Sequence, residues 1–167
     1  MPISTITRET SHVQNSALGA VLLWRFCVSY STDHRTNEGP PLQLAFLVLP
    51  MTFHRDTFDE LSSTRGGIHL FVDKFARSDI SKSDILLGIH DRVVEFRSLT
   101  VESISLAIKS RLLTLVSNTG RLVSLSISKP SSIPQTIRPL ISGAEKLGTW
   151  FSGMTLFEIE TTLKVKF

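Results

Sequence analysis

The sequence predicts a mainly α-helical fold with one small β-hairpin, a helical bundle that includes a winged helix-turn-helix-like unit. Three observations carry that expectation. Apolar residues recur at three- and four-residue spacing along most of the chain. Residues 17–28 are apolar at nearly every position, the pattern of a helix central to its own core. Asn118-Thr119-Gly120 is a tight-turn signal between two short β-prone runs, 112–116 and 121–127.

In chain order, residues 1–14 are expected to be a flexible N-terminus, Ser/Thr-rich and aperiodic. Residues 15–167 are expected to form a single compact helical domain, a size that can bury a core without disulfide or metal staples. Asn15 or Ser16 can cap a helix reaching about Tyr30. DHRTNEGPP at 33–41 is a loop by composition. LQLAFLVLP at 42–50 fits a buried helix or a buried strand, and a helix with a break near Pro50 is the favoured reading.

Phe58 and Leu61 suit a short helix ending near Ser63, and Thr64-Arg65-Gly66-Gly67 is a turn. Ile68, Phe71, Val72 and Phe75 predict a helix over 68–77. Ile85, Leu86, Ile89, Val93 and Phe96 predict one over 83–96, and Ile104, Ala107, Ile108 and Leu112 predict one over 99–111. With the hairpin these make the winged-helix-like unit, 83–127. A Pro/Ser linker follows, then C-terminal helices over 134–163, and LKVKF at the end alternates like a terminal strand.

Composition narrows the function classes. The chain has 167 residues, 41% hydrophobic and 20% charged, as an ordinary globular protein does. Its one cysteine, Cys27, sits in an apolar run, so it reads as a small buried hydrophobe in a reducing, cytoplasmic setting. No apolar run reads as a membrane span or a cleavable leader. HExxH, P-loop, GxGxxG and GxSxG patterns are all absent. The sequence therefore predicts no enzyme: no catalytic residue, no cofactor, no metal site and no small-molecule substrate. His54 with Asp56 or Glu60 is the one place where a polar cleft could revive chemistry, and helix-end polar residues explain it more simply.

Charge is uneven. The net charge is +3, yet residues 97–138 hold Arg97, Lys109, Arg111, Arg121, Lys129 and Arg138 against Glu102 alone. Such a surplus can face nucleic acid or an acidic protein patch. In a winged helix the second helix would read DNA, and here it is TVESISLAIKSRL. It has no Asn or Gln to read bases, which leaves Lys109, Arg111 and Arg121 as candidate backbone contacts. A DNA-binding regulator is thus the alternative to a protein-binding module. Most aromatic residues fall on apolar helical faces as core, while Trp150-Phe151 could instead anchor a partner.

Four stretches occur together in order: SALGAVLLWRF, GPPLQLAFLVLPMTFHRDTFDEL, the STR at 63–65 and KLGTWFSGMTLFEIETTLKV. This pattern resembles the middle component of three-component ABC systems, which belong to bacterial conflict or antiphage operons. The resemblance implies a non-catalytic adaptor whose partners are an SMC/RecN-like ABC ATPase and an effector of the same operon. The family pattern matches at Pro50, His54, Arg65, Trp150 and Phe151. The candidate partner-binding residues are His54, Arg55, Arg65, Trp150 and Phe151.

Overall fold

The computed structural model describes residues 15–77, 80–129 and 131–167. The expected flexible segment 1–14 lies outside the described residues. Among those described, the chain forms eight helices and one hairpin: α1 (Ser16–Asp33), α2 (Leu42–Phe53), α3 (Arg55–Ser63), α4 (Ile68–Ala76), α5 (Ile80–Glu95), α6 (Arg97–Lys109), β1 (Leu113–Val116), β2 (Arg121–Ser124), α7 (Arg138–Ser152) and α8 (Leu156–Leu163). The mainly helical fold with a small hairpin is what the sequence predicts.

Helix α1 organises the core. The Asn15 side chain accepts from the N–H groups of Ala17 and Leu18 at 3.0 and 3.1 Å, satisfying two donors that a helix start leaves open. Leu22, Leu23, Phe26 and Cys27 are fully buried, and α1 packs chiefly against α7 and α6. A helix covered on most faces needs apolar residues all round, which explains its lack of a clear amphipathic stripe.

Two glycines set how closely the neighbours approach. A methyl group at Gly19 would collide with Ser103 Oγ on α6. A methyl at Gly148 on α7 would lie 2.5 Å from the Phe26 carbonyl oxygen and 2.8 Å from the Tyr30 nitrogen, both backbone atoms of α1. Backbone cannot swing aside as a flexible side chain can, so α7 reaches α1 only because residue 148 lacks a Cβ.

Helix α2 corrects one expectation. It runs through Pro50 to Phe53 and breaks at His54 instead. Pro50 withholds a backbone donor from the helix interior. Burial carries the helix across it: Leu47, Val48, Leu49 and Met51 are all fully buried, and the Thr52 hydroxyl donates to the Val48 carbonyl at 2.7 Å.

Helices α5, α6 and the hairpin follow in the order expected of the 83–127 unit, with Phe96 alone between the helices. Helix α6 turns its buried face, Thr100, Ser103, Ile104 and Ala107, mostly onto α1. It ends at Lys109, and just beyond it the left-handed backbone of Arg111 (φ 57°) lets the Leu112 N–H reach the Ala107 carbonyl at 2.9 Å. The strands pair antiparallel with Leu115 opposite Leu122, and Gly120 supplies the positive φ that the turn requires. The outer edge of β2 is occupied by the 39–42 segment, where Leu122 donates to Pro40 and Leu42 to Gly120.

The C-terminal residues form no strand. Lys164 takes the left-handed conformation (φ 55°) that ends α8, and the chain turns so that Val165 is buried. The alternation of LKVKF reflects that single buried valine. With the free edge of β2 taken by 39–42, no strand is added there.

A Gly148→Ala substitution should destabilise the protein by about 2 kcal/mol, because α7 must be pushed away from the α1 backbone. Gly153→Ala, whose added methyl meets nothing within 4 Å, should change stability by less than about 0.5 kcal/mol. Chemical denaturation of the two variants checks the contrast, and equal effects would count against the close approach.

Candidate interaction surface

Most polar side chains that the sequence offered as site residues are engaged in holding the fold. His54 is the N-cap of α3: its Nδ1 accepts from the Thr57 N–H at 3.3 Å and lies 2.9 Å from Thr57 Oγ1. The Thr57 hydroxyl also accepts from Arg92 Nη2 at 3.0 Å, and the same nitrogen donates to the Ile85 carbonyl at 2.7 Å. This network ties α3 to α5. Burial, and then the nearby Arg92 guanidinium, hold the His54 imidazole below its ordinary pKa, while Asp56 and Glu95 oppose the shift.

At the other end of α3, the Lys146 ammonium donates to the carbonyls of Leu61, Ser62 and Thr64 at 2.9–3.0 Å. These are helix-end acceptors that would otherwise lack partners. Burial, then the charge of Lys74, lower the Lys146 pKa. Trp150 is half-buried between Lys146, 5.8 Å from its ring centre, and Phe71 at 5.9 Å. Phe151 is fully buried, edge-on to Phe26 at 6.1 Å. Its place in the core removes it as an anchor for a partner, since both faces of the helix pair compete for it and the interior wins. Arg55 and Arg65 are exposed.

The three candidate nucleic-acid contacts separate. Lys109 and Arg111 are exposed at the end of α6. Arg121 is committed elsewhere: it donates to the Gly39 carbonyl at 2.6 Å and pairs with Glu38 at 3.1 Å, which fastens the 38–41 loop to β2. A guanidinium held this way is not available to a phosphate. The Cys27 thiol is fully buried and its pKa is pushed far up by desolvation, so it stays a protonated core side chain. Among the described residues, no group of three or more His, Cys, Asp or Glu side chains could hold a metal ion.

Part of the outward surface is apolar. On α6 the solvent-facing side chains are Arg97, Ser98, Val101, Glu102, Ser105, Ile108 and Lys109. Beyond the hairpin, Leu125 is 55% exposed and Ile127 76% exposed. Their backbone is nevertheless fixed. Leu125 donates to the Leu112 carbonyl at 2.9 Å, which sets it beside the end of α6. Trp24 Nε1 donates to the Ser126 carbonyl at 2.7 Å, and Arg25 Nη1 approaches the Ile127 carbonyl at 3.5 Å.

Arg25 is itself only 4% exposed and forks onto Glu145 Oε1 at 2.6 and 2.8 Å. The 125–127 segment is thus pinned from beneath by α1 while its two large side chains face solvent. Fixed, exposed aliphatic groups beside a helix face are what a protein partner can cover at low ordering cost. Sequence reasoning missed Leu125 and Ile127: the alternation of RLVSLSI reads as a strand, but the strand ends at Ser124, so the last alternating residues cover no sheet.

No helix among the described residues is long and apolar enough to cross a membrane. A family model described as "ABC-three component (ABC-3C) system Middle Component 3" matches residues 3–167. No curated protein and no solved structure matches the chain.

Because the folded state favours the neutral His54 ring, acid should weaken the protein through this residue. As pH falls through about 6.5, the unfolded chain binds a proton first and stability drops. A His54→Asn variant keeps an N-cap acceptor but does not titrate. Between about pH 7 and pH 5 its melting temperature should fall less than that of the parent. Thermal melts across that range check this, and parallel curves would remove His54 as the titrating group.

Proposed function

The chain belongs to the middle component 3 family of ABC-three component systems, and from that premise we propose that it is a non-catalytic, cytoplasmic adaptor. It has the other components of its system as partners. In the proposed role it links an SMC/RecN-like ABC ATPase to an effector in bacterial antiphage defence. The observation that carries the reading is the pair of exposed apolar side chains Leu125 and Ile127 on a backbone pinned by α1, with Ile108 exposed on α6, in a chain that matches the family along nearly its whole length. An adaptor must transmit a partner's position without deforming, and side chains on a backbone held by hydrogen bonds from the central helix meet that need.

The polar residues support the same view. His54 and Lys146 cap α3, Arg121 holds a loop and Arg25 is paired within the core. Side chains spent on helix ends and loop closure are not poised as a general base or nucleophile. A second reading, a winged-helix DNA-binding regulator, is favoured by the exposed Lys109 and Arg111 beside each other at the end of α6. Between Arg97 at the start of α6 and that pair at its end, the outward residues Ser98, Val101, Glu102, Ser105 and Ile108 include no cation, which suits a protein surface better than a phosphate backbone.

Co-expression with the neighbouring ATPase should yield a stable complex. Ile127→Glu and Ile108→Glu should each weaken it by about tenfold or more, while circular dichroism stays unchanged. Lys109→Glu with Arg111→Glu should leave that complex intact. Duplex DNA retained at low salt and released by this charge reversal would instead favour the regulator. A complex that neither apolar substitution weakens would dismiss this face as the docking site.

A further inference from the structure

We propose that two copies of this chain associate by a reciprocal knob-and-groove contact, the knob being Phe157 on α8 and the groove lying between α2, α5 and the C-terminal residues. This inference does not depend on the adaptor reading, and it concerns a different surface. The groove encloses a cavity of about 360 Å³. Its walls are Leu42 and Phe46 from α2, Val93 and Val94 from α5, and Phe167. Val94 is 62% exposed, an aliphatic side chain at the mouth with no covering group.

The charged residues that line the groove are both basic, Arg97 and Lys166. Neither forms an ion pair among the described residues. An occupant must therefore supply a large apolar group with a carboxylate beside it.

The same chain carries that combination. Phe157 stands 74% exposed in the first turn of α8. Glu160 is three residues on, on the same flank of the helix, and its carboxylate has no partner among the described residues. The knob is rigid: Thr155 Oγ1 accepts from the Glu158 N–H at 3.2 Å, and Glu158 Oε2 accepts from the Thr155 N–H at 2.7 Å. The Thr155 N–H, and then the Thr155 hydroxyl at 2.9 Å, donate to the Glu158 carboxylate and lower its pKa, and the reciprocal bonds hold the first turn of α8 in place.

Knob and groove lie at the two ends of the segment formed by α8 and the residues after it. A two-fold pair therefore forms both contacts at once, each Phe157 entering the other copy's groove while Glu160 meets Arg97 and Lys166. Self-complementarity of this kind needs no other protein.

Sedimentation equilibrium of the purified chain tests the proposal. The parent protein should be dimeric. Phe157→Glu and Val94→Glu should each make it monomeric with unchanged circular dichroism, since both side chains are solvent-exposed in the single copy. Arg97→Glu combined with Lys166→Glu should raise the dissociation constant at least about tenfold, and adding Glu160→Arg to that pair should recover most of the loss. A monomeric parent, a dimer indifferent to Phe157→Glu and Val94→Glu, or a triple variant no tighter than the double one would each overturn it.

Discussion

The enclosure of α1 between α6 and α7 is the constraint on which the rest of the structure depends. Two missing Cβ atoms make it possible, one on α1 at Gly19 and one on α7 at Gly148. A charge trapped by so close an approach must find a partner within the protein, although the Thr100 and Ser103 hydroxyls of α6 are buried there without one among the described residues. Arg25 is the main case. A buried guanidinium without a carboxylate would cost several kcal/mol, roughly the stability of a small domain. Glu145 on α7 answers it, and Lys129 approaches the same carboxylate at 3.9 Å. The helix pair is thereby locked in rotation as well as in distance.

Much of this was legible in the sequence because helices announce themselves by period. The all-round apolar run at 17–28, the three-and-four spacing of Ile85, Leu86, Ile89 and Val93, and the turn at Asn118-Thr119-Gly120 each lead to the element that forms. The misreadings share a cause. At Pro50 and in the LKVKF ending local propensity points one way, whereas burial of Met51 and of Val165 decides the structure. Residues 42–50 fit a strand or a helix equally by pattern, and only the neighbouring helices distinguish the two.

The candidate site was far less legible, and the reason is physical. Sequence shows which residues carry chemistry, not whether that chemistry is already spent. Arg121 and Arg111 look alike on paper. One closes a loop through Glu38 and Gly39, and the other is exposed after the end of a helix. Phe151 and Trp150 are adjacent, but a step of one residue along a helix turns a side chain by about 100°, enough to place one in the core and the other at its rim. Conversely Leu125 and Ile127 look like strand residues and carry no chemical signal, and they become surface features only because the sheet stops short of them.

That last point joins the core to the surface. Trp24 and Arg25 are neighbours on α1, and both reach the same short segment after β2 from below. Each also contributes to the core, Trp24 by burial and Arg25 through Glu145. The segment therefore cannot shift without disturbing the α1–α7 contact, and a load applied to Leu125 or Ile127 is carried straight into the most tightly packed part of the molecule. A flexible loop with the same side chains would absorb such a load by bending. Attachment of an outward apolar segment to the central helix would serve the proposed linking role, and in this chain it follows from two hydrogen-bonding side chains at consecutive positions of one buried helix.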